Sequence, residues 1–270
     1  MDKKLTDCTF CAVDVETTGL FLASRLVEIG AVKFNCSGIL GEFQTLVDPQ
    51  EPINPQVVSI HGISNEMVAG SPPPSEAVTR LLDFMGDAIF IAHNARFDTR
   101  IIGMECARAG ITVPDSPVID TVLLARRLFR GLQNYRLDTL CEYMSIMREQ
   151  IHRGLPDAQA AMEIFQRYLE LAPSDACVVD VPGLIGTFSG LAPKIDVSLS
   201  GDHSDFQALA EKKVMIEVIY QGGTDPGVPR MITPISVRSK GFTEYIIAYC
   251  HRTGRVKTFR LDRVELYRLP

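Results

Sequence analysis

Three β-branched, apolar runs, residues 9–15, 25–34 and 38–47, precede any helical period in this chain, and helical and strand-like stretches alternate from residue 76 on. Strands joined by turns as short as Asn35-Cys36-Ser37-Gly38 start as an antiparallel meander. The alternation that follows adds further strands to the same sheet and places helices on both of its faces. The expected class is therefore α/β, a mixed sheet flanked by helices.

Pro49, Pro52 and Pro55 close the meander. Val78, Leu81, Leu82 and Met85 recur at the 3.6-residue period of a helix over Glu76–Met85. A strand at Ala88–Ala92 follows, then a helix Phe97–Ala109 closed by Gly110, a strand Pro117–Asp120, and helices Thr121–Phe129, Leu137–Ser145 and Asp157–Leu171. Residues 172–203 carry Pro, Gly and Ser throughout with no sustained period, the composition of a connection. Beyond them lie a short helix, Asp205–Lys212, and strand-like runs Val214–Tyr220, Met231–Val237, Glu244–Tyr249, Val256–Leu261 and Val264–Tyr267, which predict a small β-barrel. The chain, 270 residues long, is expected to divide into a domain at 1–174, a linker at 175–204 and a second domain at 205–270.

Charge is distributed unevenly. Residues 205–270 hold 11 Lys and Arg against 7 Asp and Glu, a surplus of +4, so the −6 of the whole chain leaves −10 for residues 1–204. An acidic part beside a basic part suits a division of labour toward a polyanion. The seven cysteines are odd in number and scattered, which points to reduced thiols. Cys8-x-x-Cys11 has no second pair nearby and runs into an apolar strand, so it is not read as a zinc or redox site. With no signal-peptide pattern and no long apolar run, the expected location is cytoplasmic.

Asp14 and Glu16 stand two apart at the end of the first strand, where the period of two puts both on one face. Such a pair can share a cation, and oxygen-only donors select hard ions such as Mg²⁺ or Mn²⁺. Asp98 follows an apolar strand at a helix start, the position where ligands collect in open α/β sheets. His152 and Asp157 are five apart, which on a continuous helix would turn them about 140° from each other. Gly154 and Pro156 break that helix, so His152 sits on a loop while Asp157 opens the next helix, and both can face one cleft. Taken singly, each residue has an ordinary use as a cap or loop residue. Four carboxylates and a histidine gathered at strand ends do not, because burying them without a cation costs several kcal/mol per unpaired charge, on the order of the penalties for isolated ions.

Asp14-Val15-Glu16-Thr17-Thr18-Gly19, His93-Asn94-Ala95-x-Phe97-Asp98 and His152-x₄-Asp157 resemble the three motifs of the DEDDh 3′→5′ exonucleases, a ribonuclease-H-like family that includes proofreading subunits and oligoribonuclease. His61-Gly62-Ile63 is similar to a family element between the first two motifs. The resemblance spans residues 8–171 and implies a ribonuclease-H-like fold and hydrolysis that releases 5′-mononucleotides from single-stranded DNA or RNA. It also implies two divalent cations, Mg²⁺ or Mn²⁺, held by Asp14, Glu16, Asp98 and Asp157, with His152 accepting a proton from water. Thr17, Leu20, His93, Asn94 and Phe97 are the corresponding substrate-binding positions. Proofreading relatives allow a polymerase partner, although no docking segment is recognisable. A binding module without hydrolysis is the alternative, which the intact set of five residues opposes.

Residues 205–270 resemble the WYL domain, a small Sm/SH3-like barrel, through Arg230-x-Ile232-x-Pro234, Glu244-Tyr245-Ile246-Ile247-Ala248-Tyr249 and Arg255-x-Lys257-x-Phe259-Arg260-Leu261-Asp262-Arg263. The Trp of the name-giving triplet is Glu244 here, and the chain has no Trp. Arg230, Tyr245, Tyr249, Arg255, Lys257, Arg260 and Arg263 are the residues this likeness offers to a single strand or to a nucleotide ligand that gates the nuclease. On a strand, Arg255, Lys257 and Phe259 share one face while Arg260 takes the other, so the cations cannot all line one groove without a bend. Edge protection by Lys and Arg is the competing use.

Overall fold

The computed structural model describes residues 2–19, 24–192, 203–223, 225–240 and 243–268. They belong to two compact units, residues 1–17 with 26–192 and residues 18–25 with 193–270.

The first unit opens with the expected meander, β1 (Phe10–Thr17), β2 (Leu26–Asn35) and β3 (Gly38–Leu46), paired antiparallel with Asp14 opposite Gly30 and Glu16 opposite Glu28. Two short helices, α1 (Pro55–His61) and α2 (Asn65–Val68), follow where the prolines suggested only a break. Asn54 caps α1 by accepting from the Gln56 N–H, and Pro55 takes the first helical position, where a missing N–H costs nothing. Then come α3 (Pro74–Met85), β4 (Ile89–Ala92), α4 (Arg96–Ala109), β5 (Pro117–Asp120) and α5 (Thr121–Leu128). Both β4 and β5 add parallel to the sheet, each crossing through a helix. The Asp120 side chain caps α5 by accepting from the Val122 and Leu123 N–H groups. The unit ends with α6 (Leu137–Met144), α7 (Gly154–Leu171), β6 (Leu184–Thr187) and α8 (Phe188–Leu191), and its strand order is β3-β2-β1-β4-β5-β6.

Residues 184–191, expected to lie in a linker, therefore belong to the first unit, with 184–187 as a strand of its sheet and 188–191 as a helix. β6 pairs antiparallel with β5 at the sheet edge, and all four of its residues are half-buried. An edge strand needs one partner and little apolar surface, so Gly186, at φ +134°, does not prevent it.

Alternation along β1 separates two cores. Cys11, Val13 and Val15 pack with Val78, Leu81 and Ile102, whereas Phe10 and Ala12 pack with Phe34, Met162 and Phe165 beneath α7. The Phe10 ring lies 4.9 Å from that of Phe165 and 5.4 Å from that of Phe34. Full burial of such side chains stabilises by about 1.5–3 kcal/mol each. Continued along β1, the same period turns Asp14 and Glu16 toward α7.

The second unit contains α9 (His203–Glu211), β7 (Ile216–Tyr220), β8 (Pro229–Lys240), β9 (Thr243–Cys250), β10 (Arg255–Arg260), a 3₁₀ turn at Leu261–Arg263 and β11 (Val264–Arg268). Its described pairings make a five-stranded antiparallel sheet in the order β10-β9-β8-β7-β11. Phe206, Ile216, Ile232, Ile246, Ala248 and Phe259 form its core. β8 runs past the Val237 expected from sequence because its backbone goes on pairing with β9 as far as Lys240 opposite Thr243, beyond the apolar residues. Among the described residues no helix is long and apolar enough to cross a membrane.

Candidate active site

Helix α7 approaches the sheet at the one position on β2 that lacks a side chain. A Cβ on Gly30 would stand 2.0 Å from the Gly154 carbonyl carbon, and Gly30 is the register partner of Asp14. The close approach brings the first turn of α7, with Asp157, over the end of β1. One carboxylate oxygen from each of Asp14, Glu16 and Asp157 then lies within 4.8 Å of the others. Asp98 enters from the first turn of α4, is 2% exposed, and accepts a hydrogen bond from the Val15 N–H at 3.2 Å. It stands near enough to raise the Asp14 pKa but is not one of the three converging groups.

Burial pushes the Asp14 carboxyl well above the usual range, and Asp98, Glu16, Asp157 and Glu28 add to the effect by like-charge repulsion. Glu16 is raised to about 8, first by burial and then by Asp157, Glu28 and Asp98. Asp98 and Asp157 are also raised by burial, partly offset by the Val15 N–H and by Arg148 respectively. The protein alone does not neutralise this cluster. An all-oxygen donor set whose carboxyls are all pushed toward the protonated form by burial and mutual repulsion fits hard divalent cations, which would offset that repulsion.

His152 is exposed on the loop before α7, with φ +56°. Helix α7 starts at Gly154 rather than Asp157, so Pro156 is its third residue, and Asp157 remains in the first turn. Thr17 is 4% exposed at the end of β1, and Leu20 lies outside the described residues. His93 does not fit the substrate contact expected of it. Its Nε2 donates to the Tyr135 carbonyl at 3.0 Å and its Nδ1 pairs with the Thr121 hydroxyl at 2.9 Å. Burial lowers its pKa to about 4, so the ring is neutral and ties β4 to α5 and the following loop. Asn94 is exposed with φ +69° in the turn before α4, and Phe97 is half-buried against the core under α3 and α4. His61 ends α1, Gly62 caps it at φ +74°, and Ile63 is fully buried.

The sequence model of the exonuclease family matches residues 11–165. The chain belongs to the exonuclease family. The WYL domain model matches residues 206–269. Among curated proteins, the exonuclease domain is 40% identical over 162 residues to DNA polymerase III PolC-type of Caldanaerobacter subterraneus subsp. tengcongensis, covering 60% of this chain. It is 38% identical over 157 residues, 58% of this chain, to the protein of the same name from Listeria welshimeri. The matched regions span only 12% and 11% of those relatives. Two solved structures share the fold. Escherichia coli Exonuclease I in complex with a dA16 oligonucleotide aligns with a TM-score of 0.56 at 16% identity, covering 90% of this chain and 55% of its own. The nuclease domain of 3′hExo, a DEDDh family member bound to rAMP, aligns with a TM-score of 0.55 at 17% identity, covering 61% and 92%.

Three charged residues of the exonuclease domain escaped the sequence reading. Glu28 is fully buried opposite Glu16, and its carboxylate is held by Arg153 and by the Gly154 N–H. Hydrogen bonds from these groups keep the Glu28 carboxyl below its ordinary value even though burial alone would raise it. Arg148 donates to Asp157 at 2.6 Å and also to Asp138, linking α6 to the cluster. A single Glu inside the otherwise apolar run 26–32 was the available signal for Glu28. Nothing local marks Arg148 or Arg153.

In the WYL domain the predicted residues fall into separate places. Arg230 is 5% exposed, stands 5.9 Å over the Tyr220 ring and donates to the Val228 and Asp225 carbonyls, so it braces the hairpin and is not available to a ligand. Lys257 and Arg255 share the face of buried Phe259, as strand alternation requires. Tyr245 and Tyr249 lie on the opposite face, with Arg238 and Arg260 as the register partners of Tyr245. Arg260 is engaged by Asp262 through two hydrogen bonds, and Arg263 is exposed in the 3₁₀ turn.

Proposed function

We propose that the exonuclease domain hydrolyses the terminal phosphodiester bond at the 3′ end of single-stranded DNA or RNA and releases 5′-mononucleotides stepwise. The observation that carries this reading is the convergence of Asp14, Glu16 and Asp157 within 4.8 Å at the strand ends, with Asp98 beside them. Asp14, Glu16, Asp157 and Asp98 would hold two divalent cations, Mg²⁺ or Mn²⁺. When bound, these supply a lowered pKa for the attacking water and charge stabilisation at the leaving 3′-oxygen. Asp14, central to the cluster, would contribute to holding both cations, and Asp98, steadied by the Val15 N–H, would help hold them. His152, exposed on the loop before α7, receives the proton of the attacking water as general base. Thr17, at the end of β1, meets the terminal nucleotide.

The WYL domain is proposed to hold the strand away from the catalytic end. Its strand order, with the last strand returning to the first after a 3₁₀ turn, supports a small Sm/SH3-like barrel. The outward row Arg238, Tyr245 and Arg260 pairs cations with a ring, the combination that tracks phosphates and stacks bases without sequence preference.

Matched strands labelled at either end test the activity. The reading expects the 3′ label to leave first as a mononucleotide, while the 5′ label reports a ladder that shortens one residue at a time. Release of the 5′ label first, or of internal oligonucleotides, contradicts it. Tyr245→Ala is expected to weaken single-strand affinity by about 1–3 kcal/mol, measured by fluorescence anisotropy.

A further inference from the structure

His152 stands in a left-handed backbone conformation, φ +56°, that residues with a Cβ seldom adopt. No hydrogen bond to its ring is found among the described residues, so the direction of the imidazole depends on the backbone that carries it. The next residue is gripped. Arg153 donates from Nε to Glu28 Oε2 at 2.9 Å and from a terminal nitrogen to Oε1 at 2.7 Å, a two-pronged fork. The Gly154 N–H donates to the same Oε2 at 2.9 Å, and Gln44 Nε2 donates to Oε1 at 3.0 Å. Four donors thus occupy the four lone-pair positions of one buried carboxylate. Glu28 is the register partner of Glu16 and therefore a fifth carboxylate beside the cluster, but with its oxygens filled it is not free to take a cation. On its other side the loop is tied by Arg148 to Asp138 and Asp157.

We infer that Glu28 and Arg153 form a clamp that positions His152, fixing the backbone turn from which the imidazole reaches the reacting water. The inference rests on the proposed role of His152 as proton acceptor. The fork is specific in geometry. A lysine at 153 keeps the charge opposite Glu28 but offers a single point donor, so it loses the orientation while the pair stays neutral.

The test compares Arg153→Lys, Glu28→Gln and His152→Ala, singly and with each clamp variant combined with His152→Ala, in the full chain with Mg²⁺ and a 5′-labelled single strand. Arg153→Lys is expected to lower kcat at least about tenfold with KM changed by less than about threefold, the signature of an interaction that matters in the transition state. In the His152→Ala background the same change is expected to alter kcat by less than about twofold, because residues that act through one another are not additive. Equal factors in both backgrounds would show a general structural effect and overturn the clamp. So would wild-type kcat in Arg153→Lys while His152→Ala is strongly impaired. If His152→Ala cuts at the wild-type rate, the role given to His152 fails, which is a different result. Hydrogen exchange gives a readout apart from turnover. The amides of residues 151–154 should exchange at least about tenfold faster in Arg153→Lys and in Glu28→Gln than in the wild type, and unchanged exchange in both overturns the inference.

Discussion

Gly30 on β2 and Gly154 at the start of α7 meet backbone to backbone, with no room for a Cβ on either: one on Gly154 would stand 2.6 Å from the Gly30 nitrogen. This contact sets the height of α7 above the sheet and so the distance from Asp157 to Asp14. Gly30→Ala is expected to cost at least about 3 kcal/mol, the upper range for overpacking, because the atoms it meets are backbone and cannot turn aside. Urea unfolding measures the loss. A variant within about 0.5 kcal/mol of the wild type would mean that the helix is not seated by this contact.

The raised carboxyls fix the sign of the pH response. Glu16 takes its proton near 4.5 when unfolded and near 8 in the folded, metal-free protein, and Asp14, Asp98 and Asp157 shift in the same direction. A raised carboxyl contributes stability that is fully present below its unfolded value and is lost as pH rises through its folded value. The melting temperature of the metal-free protein should therefore fall between about pH 5 and pH 8, and the increase produced by Mg²⁺ or Mn²⁺ should grow over the same interval as cations replace protons. Scanning calorimetry with and without metal checks both slopes, and an increase that does not change with pH contradicts the assignment.

Arg148 partly neutralises Asp157, and the two side chains are 6% and 8% exposed. Arg148→Met leaves a buried carboxylate beside three others. At pH 8 without metal the variant should lose about 3 kcal/mol, as expected when one partner of a buried pair is removed. Saturating Mg²⁺ should return much of that loss. Equal losses with and without metal would separate Arg148 from the cation site.

The ring trio Phe10, Phe34 and Phe165 joins α7 to the sheet at the end away from the carboxylates. Phe165→Ala should destabilise by about 3–5 kcal/mol in denaturant titration. With the fold intact at low temperature, its kcat should stay within about threefold of the wild type, since the helix start is held separately by Gly30 and Glu28. A kcat that collapses while the protein remains folded would mean the two ends of α7 are coupled.

The sequence carried the meander and the parallel additions because their apolar runs are long and bounded by turn residues. It carried the four carboxylates because each sits where a strand or helix begins or ends. It did not carry β6, whose four half-buried residues have too little apolar contrast to show a period. Glu28 and Arg153 lie 125 residues apart, so only the folded register brings them together. His93 shows the converse. Its motif was visible, but spacing does not reveal that Thr121 and Tyr135 use both ring nitrogens. In the WYL domain, alternation along β10 correctly separated Lys257 from Arg260, whereas the burial of Arg230 depends on the Tyr220 ring, which no local pattern announces.

The most direct measurement is hydrolysis of a 5′-labelled single strand by the wild type and by Asp14→Asn, with Mg²⁺ and with EDTA. The substitution preserves volume and removes one of several repelling charges, so the variant should melt no lower than the wild type without metal. The wild type should shorten the strand one nucleotide at a time, stop in EDTA, and outpace Asp14→Asn at least about a thousandfold, as expected when a group needed to hold the cations is lost. Hydrolysis that survives EDTA, or an Asp14→Asn rate within about tenfold of the wild type, would contradict a metal-dependent centre built on Asp14, Glu16 and Asp157.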